Sequence, residues 1–287
     1  MTWNIRSISP ADYSDVCRLI NEERLFGEPC IAEQDLAAAI VPGKDFFWEA
    51  LGKIETVVIE REGAIRGAAS AGTLHDGHTK FLLWLHAGEE KTLIEKLVCA
   101  LQETQQLSYA FWVAALFSCL EGLPSSRSVT REVLENYGLL SLPGGQYLVL
   151  ETEKYALSSR KKKKSFPRVS EKEGEITLAT PFGEVICNKK GTAGIISWIH
   201  VEEAHRGKGK GRELLESALD FLLPTSREII LYVDDMNERT AALHLYQSVG
   251  FQQHARFLHF KRPEVSLSPV RFALGKGLAS AFRFLPW

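Results

Sequence analysis

The residues best suited to chemistry form one stretch, Val201-Glu202-Glu203-Ala204-His205-Arg206-Gly207-Lys208-Gly209-Lys210-Gly211-Arg212. Glycines alternate with cations there. Glycine tolerates positive φ and lets a ligand come close to the backbone. The stretch follows an apolar run, Gly194–Val201 (GIISWIHV), that reads as a buried strand. It precedes a segment from about Arg212 to Leu223 whose apolar positions Leu214, Leu215, Ala218, Leu219 and Leu222 share one helical face. A strand, a glycine turn and a helix start aim free N–H groups and the positive end of a helix dipole at whatever sits there. Arg206, Lys208, Lys210 and Arg212 deepen the positive potential. The chemistry indicated is binding of a diphosphate or a similar anion. The spacing is not a P-loop, because no Ser or Thr follows the lysines. Nor is it a dinucleotide fingerprint, because Gly207, Gly209 and Gly211 run G-x-G-x-G.

A second signature lies downstream. A strand reading, Glu228–Val233, is followed by a helix, Thr240–Val249, that runs into Leu245-Tyr246-Gln247-Ser248-Val249-Gly250-Phe251. Val201 to Gly211 fits the pattern V-x-x-x-x-[RQ]-x-x-G-x-[GA], with Arg206, Gly209 and Gly211 on its fixed positions. On these two motifs, residues 173–262 resemble the GNAT superfamily of acyl-CoA N-acyltransferases. The resemblance implies that the loop Arg206, Gly207, Lys208, Gly209, Lys210, Gly211 and Arg212 holds the pyrophosphate of acetyl-CoA. It implies that backbone N–H groups at Ile199, His200 and Val201 bind the acyl carbonyl where two parallel strands splay. Tyr246 takes the general-acid position beside the coenzyme sulfur; it also reads as a core tyrosine, since it shares a face with Ala242 and Val249. Asn237 stands nine residues before Tyr246, where the family's asparagine usually stands seven before. The base is left open among His200, Glu202, Glu203, Asp234 and Asp235. The implied activity is transfer of an acetyl or other acyl group from acetyl-CoA to a primary amine, on a small molecule or a peptide. The alternative is a non-catalytic module that binds or senses acyl-CoA.

The elements that must position this site repeat. In the first half, Thr56–Glu60 and Ala64–Ala69 flank the turn Arg61-Glu62-Gly63, Lys80–His86 reads as a buried strand, and Glu89–Gln105 as a helix. Ala11–Glu23 and Ser128–Tyr137 read as further helices and Gln146–Glu151 as a strand. In the second half, Glu175–Thr180 and Glu184–Lys189 flank Pro181-Phe182-Gly183, and Ala255–Lys261 is a last strand. The fold class expected is α/β (α+β), with two GNAT-like domains, each a central mixed sheet flanked by helices. The first copy has no glycine loop: Leu85-His86-Ala87-Gly88-Glu89-Glu90-Lys91 passes straight into its helix, and its two glutamates repel a pyrophosphate. The boundaries expected are 1–157 for this degenerate copy, 158–172 for a basic linker around Arg160-Lys161-Lys162-Lys163-Lys164, 173–263 for the coenzyme-binding domain and 264–287 for a tail. The second copy is too short for the family's usual first strand and two helices, so it draws on the first half for its substrate-side walls.

Composition narrows the classes. Of 287 residues, 45% are hydrophobic and 24% charged, as in an ordinary globular protein. Residues 1–157 hold 13 Lys+Arg against 22 Asp+Glu, and residues 158–287 hold 21 against 14, so the basic half is the one with the anion loop. The glycine spacing argues against a nucleic-acid binder. No apolar run approaches the roughly 18 residues of a membrane span. No secretory signal opens the sequence. The five cysteines, Cys17, Cys30, Cys99, Cys119 and Cys187, are scattered with no C-x-x-C pair, so no metal site is expected and the reading is a reduced, cytoplasmic protein. The apolar, basic tail Ser268–Trp287 is expected to dock on the body or in a homodimer contact rather than on a membrane surface.

Overall fold

The computed structural model describes residues 3–42, 51–112, 116, 120–156, 168–172, 174–234 and 240–265. The first half runs β1 (Asn4–Ser7), α1 (Tyr13–Glu22), α2 (Glu33–Ala39), β2 (Leu51–Arg61), β3 (Ala64–Leu74), β4 (Lys80–His86) and α3 (Lys91–Gln102). It continues through two short strands, β5 (Tyr109–Ala110) and β6 (Leu123–Pro124), to α4 (Ser128–Asn136), β7 (Leu140–Glu151) and α5 (Thr152–Ala156). The second half is β8 (Arg168–Lys172), β9 (Glu175–Thr180), β10 (Gly183–Lys190), β11 (Ala193–Val201), α6 (Lys210–Leu222), β12 (Glu228–Asp234), α7 (Thr240–Val249) and β13 (Gln252–Lys261). Residues 168–172, placed in the linker by sequence, are therefore a strand. Residues 266–287, most of the tail, lie outside the described residues.

Among the described residues the strands form one continuous mixed sheet, ordered β1-β2-β3-β4-β5-β13-β7-β12-β11-β10-β9-β8, with β6 also on β13. Only β4–β5 and β11–β12 pair in parallel. The halves are joined by interchange of their last strands. β7 lies against β12, from Glu228↔Glu151 to Asp234↔Gly145. β13 crosses to the first half, pairing Lys261 with Tyr109 and Leu258 with Leu123. Two residues each, β5 and β6 both pair with β13, at Phe260–Lys261 and Phe257–Leu258, with residues 111–122 between them in the chain.

Helices cover both faces. On one face α3 and α4 bury Leu93, Ile94, Leu97, Val133 and Leu134 against Ile59, Leu82 and Leu85. In the second half the same layer is α6, whose Leu215, Ala218, Leu219 and Leu222 pack on Val185, Cys187, Leu231 and Val233. The single-face pattern read from the sequence is thus the buried face. On the opposite face α1 and α2 bury Val16, Ile20 and Leu36 against Val58, Phe81 and Trp84.

Among the described residues the second half has no such helices, and β8 passes almost directly into β9. The first half supplies a substitute. The connection between α1 and α2 lies over the seam: Leu25 packs with Val149 and Ile230, and Tyr147 Oη donates to the Phe26 carbonyl at 3.0 Å. A Cβ on Gly27, whose φ is +82°, would meet Val149 and Ile230 at 3.1 and 3.2 Å. Lys190 on β10 pairs with Asp35 at 2.9 Å. The expected dependence of the second half on the first thus has a physical form.

Candidate functional site

The parallel pairing of β11 with β12 stops at Ile196↔Leu231, although β11 runs on to Val201 and β12 to Asp234. The strands splay beyond that point. A bulge at Ser197 accompanies the parting, because the β10–β11 register slips between Ile186 and Cys187. Along Ile199, His200 and Val201 the strand keeps β10 on one edge, at Val185, Glu184 and Gly183. Its other edge faces the opened gap. Backbone N–H groups on such an edge are ready donors for a ligand oxygen.

The anion loop sits at the end of β11. A 3-10 turn, Glu203–His205, leads to Gly207 (φ +71°) and Gly209 (φ +75°), and α6 opens at Lys210, two residues earlier than the sequence pattern indicates. Gly209 is the N-cap, left-handed and without a side chain to satisfy the first amides, which leaves them for a ligand. A Cβ at Gly207 or Gly209 would meet no atom within 4 Å, so both point into open space. Gly211 has a different reason: its Cβ would press on Leu245 of α7 at 3.3 Å and Val201 at 3.7 Å, so it sets close packing of the two helices.

The cations brace the loop as well as charging it. Arg206 Nε donates to the Val201 carbonyl at 3.0 Å and Lys208 Nζ to the Ala204 carbonyl at 2.9 Å. Lys210 pairs with Glu213 at 2.7 Å and lies 4.3 Å over the Phe182 ring. Arg212 reaches Ser248 Oγ on α7 at 2.6 Å.

Tyr246 is half-buried on α7 at the edge of the α6 cluster, 6.1 Å from the Phe251 ring. Its carbonyl accepts from Phe251 N–H at 3.1 Å, which closes the helix. Trp198 and His200 share the face opposite α6 and stack with parallel planes at 6.4 Å. Glu202 lies 4.0 Å from His200, and Glu203 is exposed in the turn. Asp234 ends β12 at the mouth of the splay. Asp235 and Asn237 lie outside the described residues.

Sequence reasoning missed Glu121. It sits alone in Glu121-Gly122-Leu123-Pro124, with no motif to mark it. The excursion between β5 and β6 carries it over the seam: Leu120 packs with Tyr147, Ile195, Ile230 and Tyr232, and a Cβ on Gly122 would touch Phe257 at 2.6 Å. Desolvation, and then the charge of Asp234, push its carboxyl up to about 7.

The first half has the same splay without the cradle. β4 pairs with β5 only at Phe81↔Tyr109 and Leu82↔Ala110. Where a coenzyme loop would stand, ahead of α3, one of the chain's own carboxylates takes an amide, and a second caps the following helix α4. Glu23 accepts from Gly88 N–H at 2.5 Å, from His86 Nδ1 at 2.9 Å and from Arg127 at 3.1 Å. Glu89 accepts from Val129 and Thr130 N–H, at 2.8 and 3.2 Å, and so caps α4. Burial opposes the charge on Glu23, but the His86 hydrogen bond, the charges of Arg127 and His86, and the Gly88 N–H outweigh it and hold the carboxyl at about 2. Next to this network a cavity opens between α1 and the excursion, lined by Trp84, Leu116, Leu120 and Phe257 among others. Among the described residues, no group of His, Cys, Asp and Glu is placed to hold a metal. No helix there is long and apolar enough to cross a membrane.

Comparison with known proteins agrees with this geometry. Residues 169–253 match the family model described as Acetyltransferase (GNAT) domain. A segment of 67 residues, 23% of this chain, is 42% identical to mycothiol acetyltransferase of Gordonia bronchialis and covers 21% of that protein. A segment of 55 residues, 19% of this chain, is 44% identical to the N-alpha-acetyltransferase RimI of Mycobacterium tuberculosis and covers 32% of it. The chain thus matches about a fifth and a third of the length of these relatives. Among solved structures, a tandem GNAT protein from the clavulanic acid biosynthesis pathway superposes with a TM-score of 0.62 over 90% of this chain and 98% of its own, at 14% identity. A GCN5-related N-acetyltransferase from Sphaerobacter thermophilus gives 0.54 over 93% and 98%, also at 14% identity. The second half thus matches a GNAT acetyltransferase domain, and the chain shares the fold of the tandem GNAT protein over 90% of its length.

Proposed function

We propose that this chain is an N-acetyltransferase that binds one acetyl-CoA, in the second half, and moves its acetyl group directly to a primary amine. The observation that carries this reading is the conjunction of splay and cradle: β11 parts from β12 at Ile196, and the same strand ends in the glycine loop whose Gly209 leaves the first amides of α6 uncapped. The loop amides from Arg206 to Arg212, with their cations, hold the pyrophosphate. The thioester then lies in the gap, its carbonyl oxygen on the N–H groups at Ile199, His200 and Val201. The neutral amine attacks the carbonyl carbon, the C–N bond forms, and the tetrahedral oxyanion is held by those fixed donors. Its collapse breaks the C–S bond; Tyr246 protonates the departing thiolate, and the proton that the nitrogen gives up restores Tyr246 through solvent. The first half takes no part in coenzyme binding: it has no glycine loop ahead of α3, and Glu23 holds the Gly88 N–H there.

The test is an assay of acetyl-CoA with a panel of primary amines, following release of the free thiol, together with calorimetry of acetyl-CoA binding. One site per chain and amine-dependent thiol release are expected. Two equal sites would refute the assignment of a closed first half. Tight binding without turnover on any amine would make the chain a coenzyme-binding module.

A further inference from the structure

We infer that Glu121, carried by the first half, is the general base of the second half's reaction, and that the acceptor enters as a positively charged alkyl ammonium. The inference rests on the proposed function and names the group and substrate class that function leaves open.

Three placements carry it. The first is level. Ile196 pairs with Leu231, and with the bulge at Ser197 allowed for, Asp234 stands across the gap from His200, in the middle of the carbonyl-binding edge. The second is face. Asp234 shares the sheet face of Tyr232, and Tyr232 packs in one cluster with Leu120, the residue before Glu121. The excursion between β5 and β6 therefore delivers Glu121 beside Asp234 on that face, which is also the face of Trp198 and His200. The coenzyme loop leads into α6, on the other face, so the two ligands approach the gap from opposite sides. The third is charge. Two carboxylates close together in a half-buried corner favour a cation between them and disfavour an anion. His259 on β13 does not neutralise them, because burial lowers its pKa to about 4. The connection packed on Leu120 brings Arg24 and Glu28, and Glu28 is itself pushed up to about 7 by burial. His200 and Glu202 stand on the β11 side, 4.0 Å apart.

The step balances simply. The ammonium N–H bond breaks and its proton passes to the Glu121 carboxylate. The neutral amine forms the C–N bond, the thiolate leaves with a proton from Tyr246, and the second N–H proton of the nitrogen is released as the amide forms and restores the Tyr246 hydroxyl through solvent. The proton on Glu121 then goes to water. A carboxyl that titrates near 7 suits this work, since it is half ionised where the enzyme would operate.

The experiment compares wild type, Glu121→Gln, Glu121→Asp and Asp234→Asn in the full chain, with acetyl-CoA and the best amine of the panel. Glu121→Gln is expected to lower kcat/KM for the amine by roughly 10²-fold and to abolish the acid limb of its pH profile. Its acetyl-CoA affinity should not change. Glu121→Asp should restore part of the rate. Asp234→Asn removes a neighbouring negative charge, so the acid limb should move to lower pH. Wild-type kcat/KM and an unaltered limb in Glu121→Gln, or equal loss in Gln and Asp variants with acetyl-CoA affinity also reduced, would overturn the assignment while leaving the proposed activity standing. A wild type that turns over no amine would remove both together.

Discussion

Gly209 offers a sharp test of where the coenzyme binds, because two substitutions there separate backbone strain from charge. The residue is left-handed at φ +75°, and a Cβ built on it meets nothing within 4 Å. Gly209→Ala therefore adds no clash and costs about 1 kcal/mol for holding a side chain in that region. Gly209→Asp costs the fold about the same, but it sets a negative charge in the space assigned to the pyrophosphate. A unit charge roughly 5 Å from a diphosphate of about two charges is repelled by roughly 2 kcal/mol in water and about 7 kcal/mol at an effective dielectric near 20. Acetyl-CoA affinity should then fall at least tenfold and up to beyond detection for Asp, against a few-fold for Ala. Calorimetry gives the affinities and thermal melting gives the fold cost, which should match in the two variants. Equal affinity in the Ala and Asp variants would show that no anion lies against this loop and would refute the cradle.

Tyr246→Phe should lower kcat by about 10²–10⁴-fold with little change in KM for acetyl-CoA, since a donor to the leaving thiolate acts in the transition state; wild-type kcat, with chemistry rate-limiting, would leave it a packing residue. Glu23 should carry acid sensitivity: its carboxyl falls from an ordinary 4.5 to about 2 in the fold. The stabilisation, roughly 3 kcal/mol, is full above pH 4.5 and lost as pH falls through 2. Urea titrations of wild type and Glu23→Gln should therefore differ most at neutral pH and converge toward pH 2. Gly145→Ala should damage the seam, because the new Cβ would lie 2.4 Å from Tyr232 Cζ and 2.5 Å from the Val233 carbonyl. A melting temperature lower by at least roughly 5 °C is expected, and an unchanged one would mean the β7–β12 pairing is looser than described.

Many of the elements of both halves were legible because their signals are local. The α6 stripe and the Lys80–His86 strand each rest on neighbours in sequence, and they fall where the periodicity places them. α6 begins earlier than the apolar pattern because Gly209, not an apolar residue, caps it. β5 and β6 were invisible: two residues carry no alternation, and only pairing with distant strands, β4 and β13 for β5 and β13 for β6, makes them strands. β8 was hidden by the cations before it. The interchange of β7 and β13 left no trace either, since register between distant strands is decided by tertiary contact. At the candidate site, the loop was read from its glycines, but the part of Gly211 in helix packing was not, and Glu121 needed the excursion to be seen in space.

The strand interchange also orders the chain's biosynthesis. Trp112 donates its indole N–H to the carbonyl of Phe260, 148 residues later, and Arg262 donates back to the Leu107 carbonyl across 155. A first half leaving the ribosome has α1–α4 in hand but no β13 to flank β5, and its β7 waits for β12. Contacts this distant close late and slowly. Until Gln252–Lys261 emerges, the nascent chain presents two open strand edges, the feature most prone to pairing with another molecule. The residues that seal the first half are therefore made long after it, and a stop codon before residue 252 would release a chain whose first half is as unfinished as its second.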